Sequence, residues 1–183
     1  MRYFKITLLI FGLLLISCNH NGDKRHSDTY IFNLKNYFEQ EAAALQKQSI
    51  KVERTVSIDG KVSTVTDTAP DWQNEFAIFK SLDISSPYKA GNFQSDSVIN
   101  ENNKHLLYEN ISDKGKVRTI HIILNKANRS VLIEVKTAED TYFNKEELTY
   151  SYQPALAIGI IGTRKSLWSK TMDFEVLSEL VGK

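Results

Sequence analysis

Cysteine is nearly absent from this 183-residue chain, which has one, Cys18. A single thiol cannot close an internal disulfide, so the fold must be held by its own core. Proline is scarce, at three, and glycine little better, at eight. That leaves no low-complexity or Pro-rich stretch to divide the chain and no Gly-rich loop to cradle a phosphate. No apolar run reaches the roughly 20 residues that a helix needs to cross a bilayer; the longest, Ile6 to Ile16, has 11 and is broken by Thr7 and Gly12. Nor does one charge dominate, with Lys and Arg at 23 against Asp and Glu at 22. So even a balance carries no global electrostatic footprint for nucleic acid or for an anionic lipid surface.

What is present begins at the first residues. Arg2 and Lys5 form a short basic stretch, the apolar run follows, and it ends in Leu15-Ile16-Ser17-Cys18. Order, length and position resemble the signal segment and lipobox of bacterial lipoprotein precursors, in which an aliphatic residue at −3 and a small one at −1 precede an obligatory Cys. The resemblance implies a signal peptide over 1–17, cleavage between Ser17 and Cys18, and acylation of Cys18 by diacylglyceryl and palmitate-type chains. Each buried methylene contributes about 0.8 kcal/mol and stable anchoring needs two lipid signals, which two or three chains on one residue supply. The expected membrane partner is therefore reached through Cys18.

The 166 residues from Cys18 onward suit one domain. Loss of Arg2 and Lys5 leaves 21 basic against 22 acidic residues, a formal charge of −1. Residues 18–29 read as a polar tether, with no apolar side chain from Asn19 to Asp28. Asn19 stands where an Asp would retain a lipoprotein at the inner membrane in enterobacterial-type sorting, so the expectation is the outer membrane. Surface-directed lipoproteins of the Bacteroidota carry an acidic cluster just after the Cys, whereas here Asp23 is followed by Lys24 and Arg25; the domain is expected to face the periplasm.

Residues 30–183 read as a single α+β domain. Ile31, Leu34, Phe38, Ala42 and Leu45 recur at three- and four-residue intervals and predict a helix over about 30–48, capped by Ser27, Asp28 or Thr29. Ile50, Val52, Val56 and Ile58 then follow a two-residue period, and Asp59-Gly60 is the pair that a two-residue hairpin turn prefers, so a partner strand over 61–66 is expected. Trp72, Phe76, Phe79 and Leu82 predict a second helix over 71–82, closing near Ser85-Ser86-Pro87. From Phe93 the chain reads as an antiparallel meander, with turns at Asp113-Lys114-Gly115-Lys116 and Asn125-Lys126-Ala127-Asn128, a strand ending at Gly162, and a last strand through Trp168, Met172, Phe174 and Val176. A curved sheet wrapped over the helices, half-barrel-like, is the simplest closed form.

The start of the second helix, Asp71-Trp72-Gln73-Asn74-Glu75-Phe76, resembles small uncharacterised lipoproteins of the Bacteroidota in which an Asp-Trp start opens an aromatic helix before a meander. The layout also resembles lipoprotein carriers and receptors such as LolA and LolB, a helix covering a curved sheet around an apolar cavity. That likeness is architectural and implies Trp72, Phe76 and Phe79 as the lining of an apolar-ligand site.

No catalytic constellation, cofactor motif or metal-ligand spacing stands out, and an enzyme is not expected. His20 and His26 fall in the tether, and His105 and His121 stand alone on predicted strands. Gly159, Gly162 and Arg164 read as a strand end. Asp71 with Glu75, and Glu146 with Glu147, read as caps or solvated faces, since adjacent strand residues point to opposite sides. Asp67-Thr68-Ala69 and Asp96-Ser97-Val98 are similar to the acceptor tripeptide of periplasmic O-glycosylation in Bacteroidota, which implies Thr68 and Ser97 as acceptors. Three readings follow: a non-catalytic, lipid-anchored binding or accessory module of the cell envelope with a protein or lipid partner, a carrier for an apolar ligand, and an envelope enzyme whose site is assembled from distant residues.

Overall fold

The computed structural model describes residues 31–182 apart from 101 and 113. The expected signal segment 1–17, with Ser17, the lipidation position Cys18 and the tether 18–29 lie outside these residues. The described chain is α+β, a nine-stranded antiparallel open sheet with four short helices.

Helix α1 spans Leu34–Leu45. Its start is set by Asn33, whose Oδ1 accepts the Asn36 N–H at 2.7 Å, satisfying one of the donors a first turn leaves open. This cap places the helix start after the expected Tyr30. Leu34, Phe38, Ala42 and Leu45 make its buried stripe.

Strands β1 (Lys51–Ile58) and β2 (Lys61–Asp67) form the expected hairpin. Asp59 and Gly60 both have positive φ, +47° and +79°, the geometry that a two-residue turn requires to match the twist of its strands.

The second helical stretch breaks in two at Phe76, giving α2 (Trp72–Glu75) and α3 (Ala77–Ser81) in place of one helix over 71–82. Phe76 sits at φ −93°, ψ 3°, off the helical region. Trp72, Phe76, Phe79 and Leu82 are nevertheless all buried. A short helix α4 (Pro87–Ala90) follows.

The meander then runs through β3 (Phe93–Ile99), β4 (Asn103–Asn110), β5 (Val117–Asn125), β6 (Ser130–Asp140), β7 (Asn144–Gln153), β8 (Ala157–Ser166) and β9 (Met172–Val181). Strand order is β2-β1-β9-β8-β7-β6-β5-β4-β3, so the last strand returns to the first, Lys51 opposite Val181, and β2 and β3 are the edges.

Two boundaries differ from those expected. Gly162 lies inside β8, opposite Leu148, because a side chain there would strike the neighbouring strand. Trp168 lies in the turn before β9, which the Ser166 N–H closes on Ser169 Oγ at 3.1 Å. Its even spacing from Met172 is therefore not a strand register.

Alternation sorts the sheet into two faces. Leu106, Tyr108, Ile120, Ile122, Ile133, Val135 and Tyr152 point inward under the helices and form one core with Phe38, Trp72, Phe76 and Phe79. Burial of each such large side chain contributes about 1.5–3 kcal/mol. Phe38 is the hub, its ring 4.9 Å from Phe76, 4.7 Å from Phe79 and 5.4 Å from Tyr152. Two polar ties fix the helices over the sheet. Tyr152 donates its hydroxyl to Glu41 at 2.6 Å, and Arg54 donates to Glu75 at 2.6 Å and to Ser178 at 3.1 Å.

Candidate functional site

Among the described residues no helix lies on the opposite face of the sheet, and there β3 to β6 present His105, Leu107, Glu109, Thr119, His121 and Glu134 around a groove of about 600 Å³, with Asp96, Val98 and Lys136 at its sides. This is the one place among the described residues where two imidazoles meet. His105 Nδ1 lies 3.2 Å from His121 Nε2, with the rings stacked at 5.4 Å and 20°.

The neighbours settle which nitrogen carries the proton. Asn100 Oδ1 accepts two backbone N–H groups, from Asn102 at 3.1 Å and Asn103 at 2.7 Å. That fixes its amide so that Nδ2 faces His105 Nε2, at 3.3 Å. His105 Nε2 is therefore the acceptor, its Nδ1 bears the hydrogen, and His121 Nε2 accepts from it. A proton added at either Nε2 would remove an acceptor from this chain of bonds.

Electrostatics points the same way. Burial holds His121 below the usual imidazole range, and the neighbouring His105 lowers it further. Glu134, directly opposite His121 in register, pulls the other way but is itself engaged by Lys136 at 3.4 Å.

Sequence spacing held this pair in hidden form. The β4–β5 register pairs His105 with Ile123 and Leu107 with His121, which is reflection about Lys114, half a residue before the midpoint of the expected Asp113–Lys116 turn. Both histidines also have the parity opposite to that of the buried Leu106, Tyr108, Ile120 and Ile122. They are thus diagonal neighbours on one face, a position that reading them singly does not reveal. The groove can offer hydrogen bonds, both signs of charge and an apolar floor at Leu107. Among the described residues no three His, Cys, Asp or Glu side chains are grouped to hold a metal.

Trp72, Phe76 and Phe79, the expected ligand lining, are 1%, 0% and 0% exposed. The rings of Phe76 and Phe79 pack on Phe38, Tyr150 and Tyr152 and Trp72 stacks on Phe76, so the three fill the space between helix and sheet. A separate cavity of about 500 Å³ lies among Ile84, Tyr88, Phe93, Val117, Lys89 and Lys116.

Of the two expected glycan acceptors, Thr68 is exposed just after β2, where Asp67 Oδ1 accepts the Ala69 N–H at 2.9 Å. Ser97 points inward from β3 and is 4% exposed. Asp71 caps α2 by accepting the Gln73 N–H at 3.0 Å. Glu75 is the partner of Arg54, and Glu146 that of Arg164, at 2.6 Å to its Nε.

Comparison with protein-family models, with characterised proteins and with solved structures gives no match.

Proposed function

We propose that this chain is a lipid-anchored, non-catalytic binding module of the bacterial cell envelope, held to the outer membrane through acyl chains on Cys18 and facing the periplasm. The observation that carries the binding role is the inequality of the sheet's two faces. One is filled by helices and aromatic rings, while the other keeps a polar groove with a paired histidine at its centre. An open strand face with mixed charge and a local apolar floor suits a protein or peptide partner better than a hydrocarbon chain. In this reading the sheet is half-barrel-like, with the helices on its concave side.

The carrier reading has a narrower basis, since Trp72, Phe76 and Phe79 occupy the volume an acyl chain would need. It would move to the cavity beside Ile84 and Phe93, where Lys89 and Lys116 could meet an anionic head group. Thr68 is the more accessible of the two glycosylation-like hydroxyls.

The test is purification of the native protein from its own envelope. Its intact mass is expected to show the acyl additions on Cys18. A photo-crosslinking side chain at Thr119, on the groove, is expected to capture a protein that the same side chain at Lys47, exposed in the turn after α1, does not. Equal capture from both positions, or an extracted lipid without any protein, would refute the binding reading; an unmodified mass would refute the anchor.

A further inference from the structure

Two hairpin tips at one end of the sheet stand out from the rest of the surface. The turn between β6 and β7 carries Tyr142 and Phe143, and that between β8 and β9 carries Leu167 and Trp168. These side chains are 79%, 62%, 42% and 84% exposed. Neither turn is loosely built. Thr141 N–H donates to Asn144 O at 2.9 Å, Ser169 N–H to Ser166 O at 3.1 Å, and the two tips are joined by Leu167 N–H donating to Phe143 O at 3.0 Å. Tyr142 and Phe143 meet edge to face at 5.1 Å. The four apolar groups thus form one ordered projection.

Charge on the projection is predominantly positive. The row at the base of the tips holds Asp140, Lys145 and Lys165; Asp140 is met by Lys145 at 4.0 Å, which leaves Lys165 and, in the second tip, Lys170. Among the described residues neither lysine has an ion pair. The patch is small for a stable protein interface, which takes about 20–30 residues from each partner, whereas the tips offer four apolar side chains. Trp and Tyr with flanking Lys is the combination that settles at the boundary between head groups and acyl chains, where ring bodies are apolar, their polar edges stay wet and ammonium groups meet phosphate. The entry of the described chain lies at the same end of the sheet. Phe32 N–H donates to the hydroxyl of Tyr108 at 3.1 Å, and Tyr108 is near the β4 end that faces the β4–β5 turn.

We infer that the paired tips Tyr142-Phe143 and Leu167-Trp168 are a membrane-contact site that dips into the interfacial region of an anionic bilayer and orients the domain on it. This rests on the proposed lipid anchor only for the nearness of a bilayer.

The experiment uses the full chain reconstituted into vesicles of phosphatidylethanolamine and phosphatidylglycerol, about three to one, that carry a nitroxide at a shallow acyl position. The signal of Trp168 is the difference between wild type and Trp168→Phe, because the only other tryptophan, Trp72, is buried in the core. On vesicles this signal is expected to move to the blue and to be quenched several-fold more by the nitroxide than by aqueous iodide. Iodide quenching that is the same with and without vesicles would overturn the inference. So would protection of Trp168 without lipid, which would indicate self-association. A Cys18→Ser chain separates the two readings. Its residual flotation with vesicles is expected to fall at least tenfold when Phe143→Ser and Trp168→Ser are added, and to weaken with Lys165→Glu and Lys170→Glu on anionic but not on zwitterionic vesicles. If intact mass shows no acylation, the anchor fails while the Trp168 measurement still decides the contact.

Discussion

Gly162 offers the sharpest test of the sheet register. A Cβ built there would lie 2.7 Å from Leu148 Cδ2, 3.0 Å from Leu148 Cα and closer still to the carbonyl oxygen of Glu147. Two of those three atoms are backbone of the adjacent strand, so relief requires β7 and β8 to part. Leu148 is itself buried and resists. Overpacking of this kind costs about 1–3 kcal/mol, and the upper half of that range applies because no rotamer change removes the clash. Against it stands about 0.4–1 kcal/mol gained by restricting the unfolded chain. Gly162→Ala is therefore expected to destabilise by about 1–2.5 kcal/mol, which for a domain of this size lowers the melting temperature by about 2–10 °C. Gly159→Ala is the internal control. Its Cβ would point to the other face and meet the Ser151 hydroxyl at 2.5 Å with nothing else nearer than 3.9 Å, and rotation of that one side chain clears it. That variant is expected within about 0.5 kcal/mol of wild type on the same balance. Urea unfolding followed by circular dichroism reads both. Equal stability of the two variants, or a larger loss for Gly159→Ala, would refute the β7–β8 register described above.

The remaining predictions concern the core and the histidine pair. Phe38→Ala empties the hub of the aromatic cluster and is expected to cost about 3–5 kcal/mol, with Phe38→Leu well below that; retention of most stability in the alanine variant would place Phe38 outside the core. Arg54→Met leaves the half-buried Glu75 and Ser178 without their donor, at a cost of about 1–3 kcal/mol, and a double-mutant cycle with Glu75→Gln is expected to be non-additive. By NMR, His121 is expected to titrate below 6.5, lower again in Glu134→Gln and higher in His105→Gln, in line with the causes of its shift. Because its folded value is depressed, the unfolded chain binds the proton more readily. The contribution of His121 is thus intact above pH 6.5 and is lost as pH falls through that value toward the folded one. His121→Asn is expected to flatten that part of the pH–stability curve, and an unchanged curve would argue against the assigned bonding.

Much of the architecture was legible because it is local. Asp59-Gly60 forced the first hairpin, and the apolar alternation in β4 to β7 marked the buried face residue by residue. Boundaries were less legible where a side chain competes with periodicity. Asn33 caps α1 after the expected start, Phe76 leaves helical geometry in mid-stripe, and the Ser166–Ser169 turn takes Trp168 out of the strand that its spacing suggested. Gly162 read as a strand end because glycine marks both turns and close approaches, and the two can be told apart only when the neighbouring strand is known. The shared face of the two histidines was readable from parity against their apolar neighbours, but their diagonal contact was not, because the hairpin reflects about Lys114 and not about the midpoint of the expected turn. The aromatic tips could not be read from pattern, since their meaning comes from two turns lying side by side.

The return of β9 to β1 has a consequence for biogenesis. Lys51 and Val181 are partners across almost the whole described chain, so the sheet has its full set of pairings only once the C-terminal residues are available. Pairings of such long sequence separation make folding slow. A chain threaded through an export channel from its N-terminus would hold β1 and β8 as unsatisfied edges until the last strand emerged, and truncation by about ten residues would leave them so permanently, open to pairing with other chains.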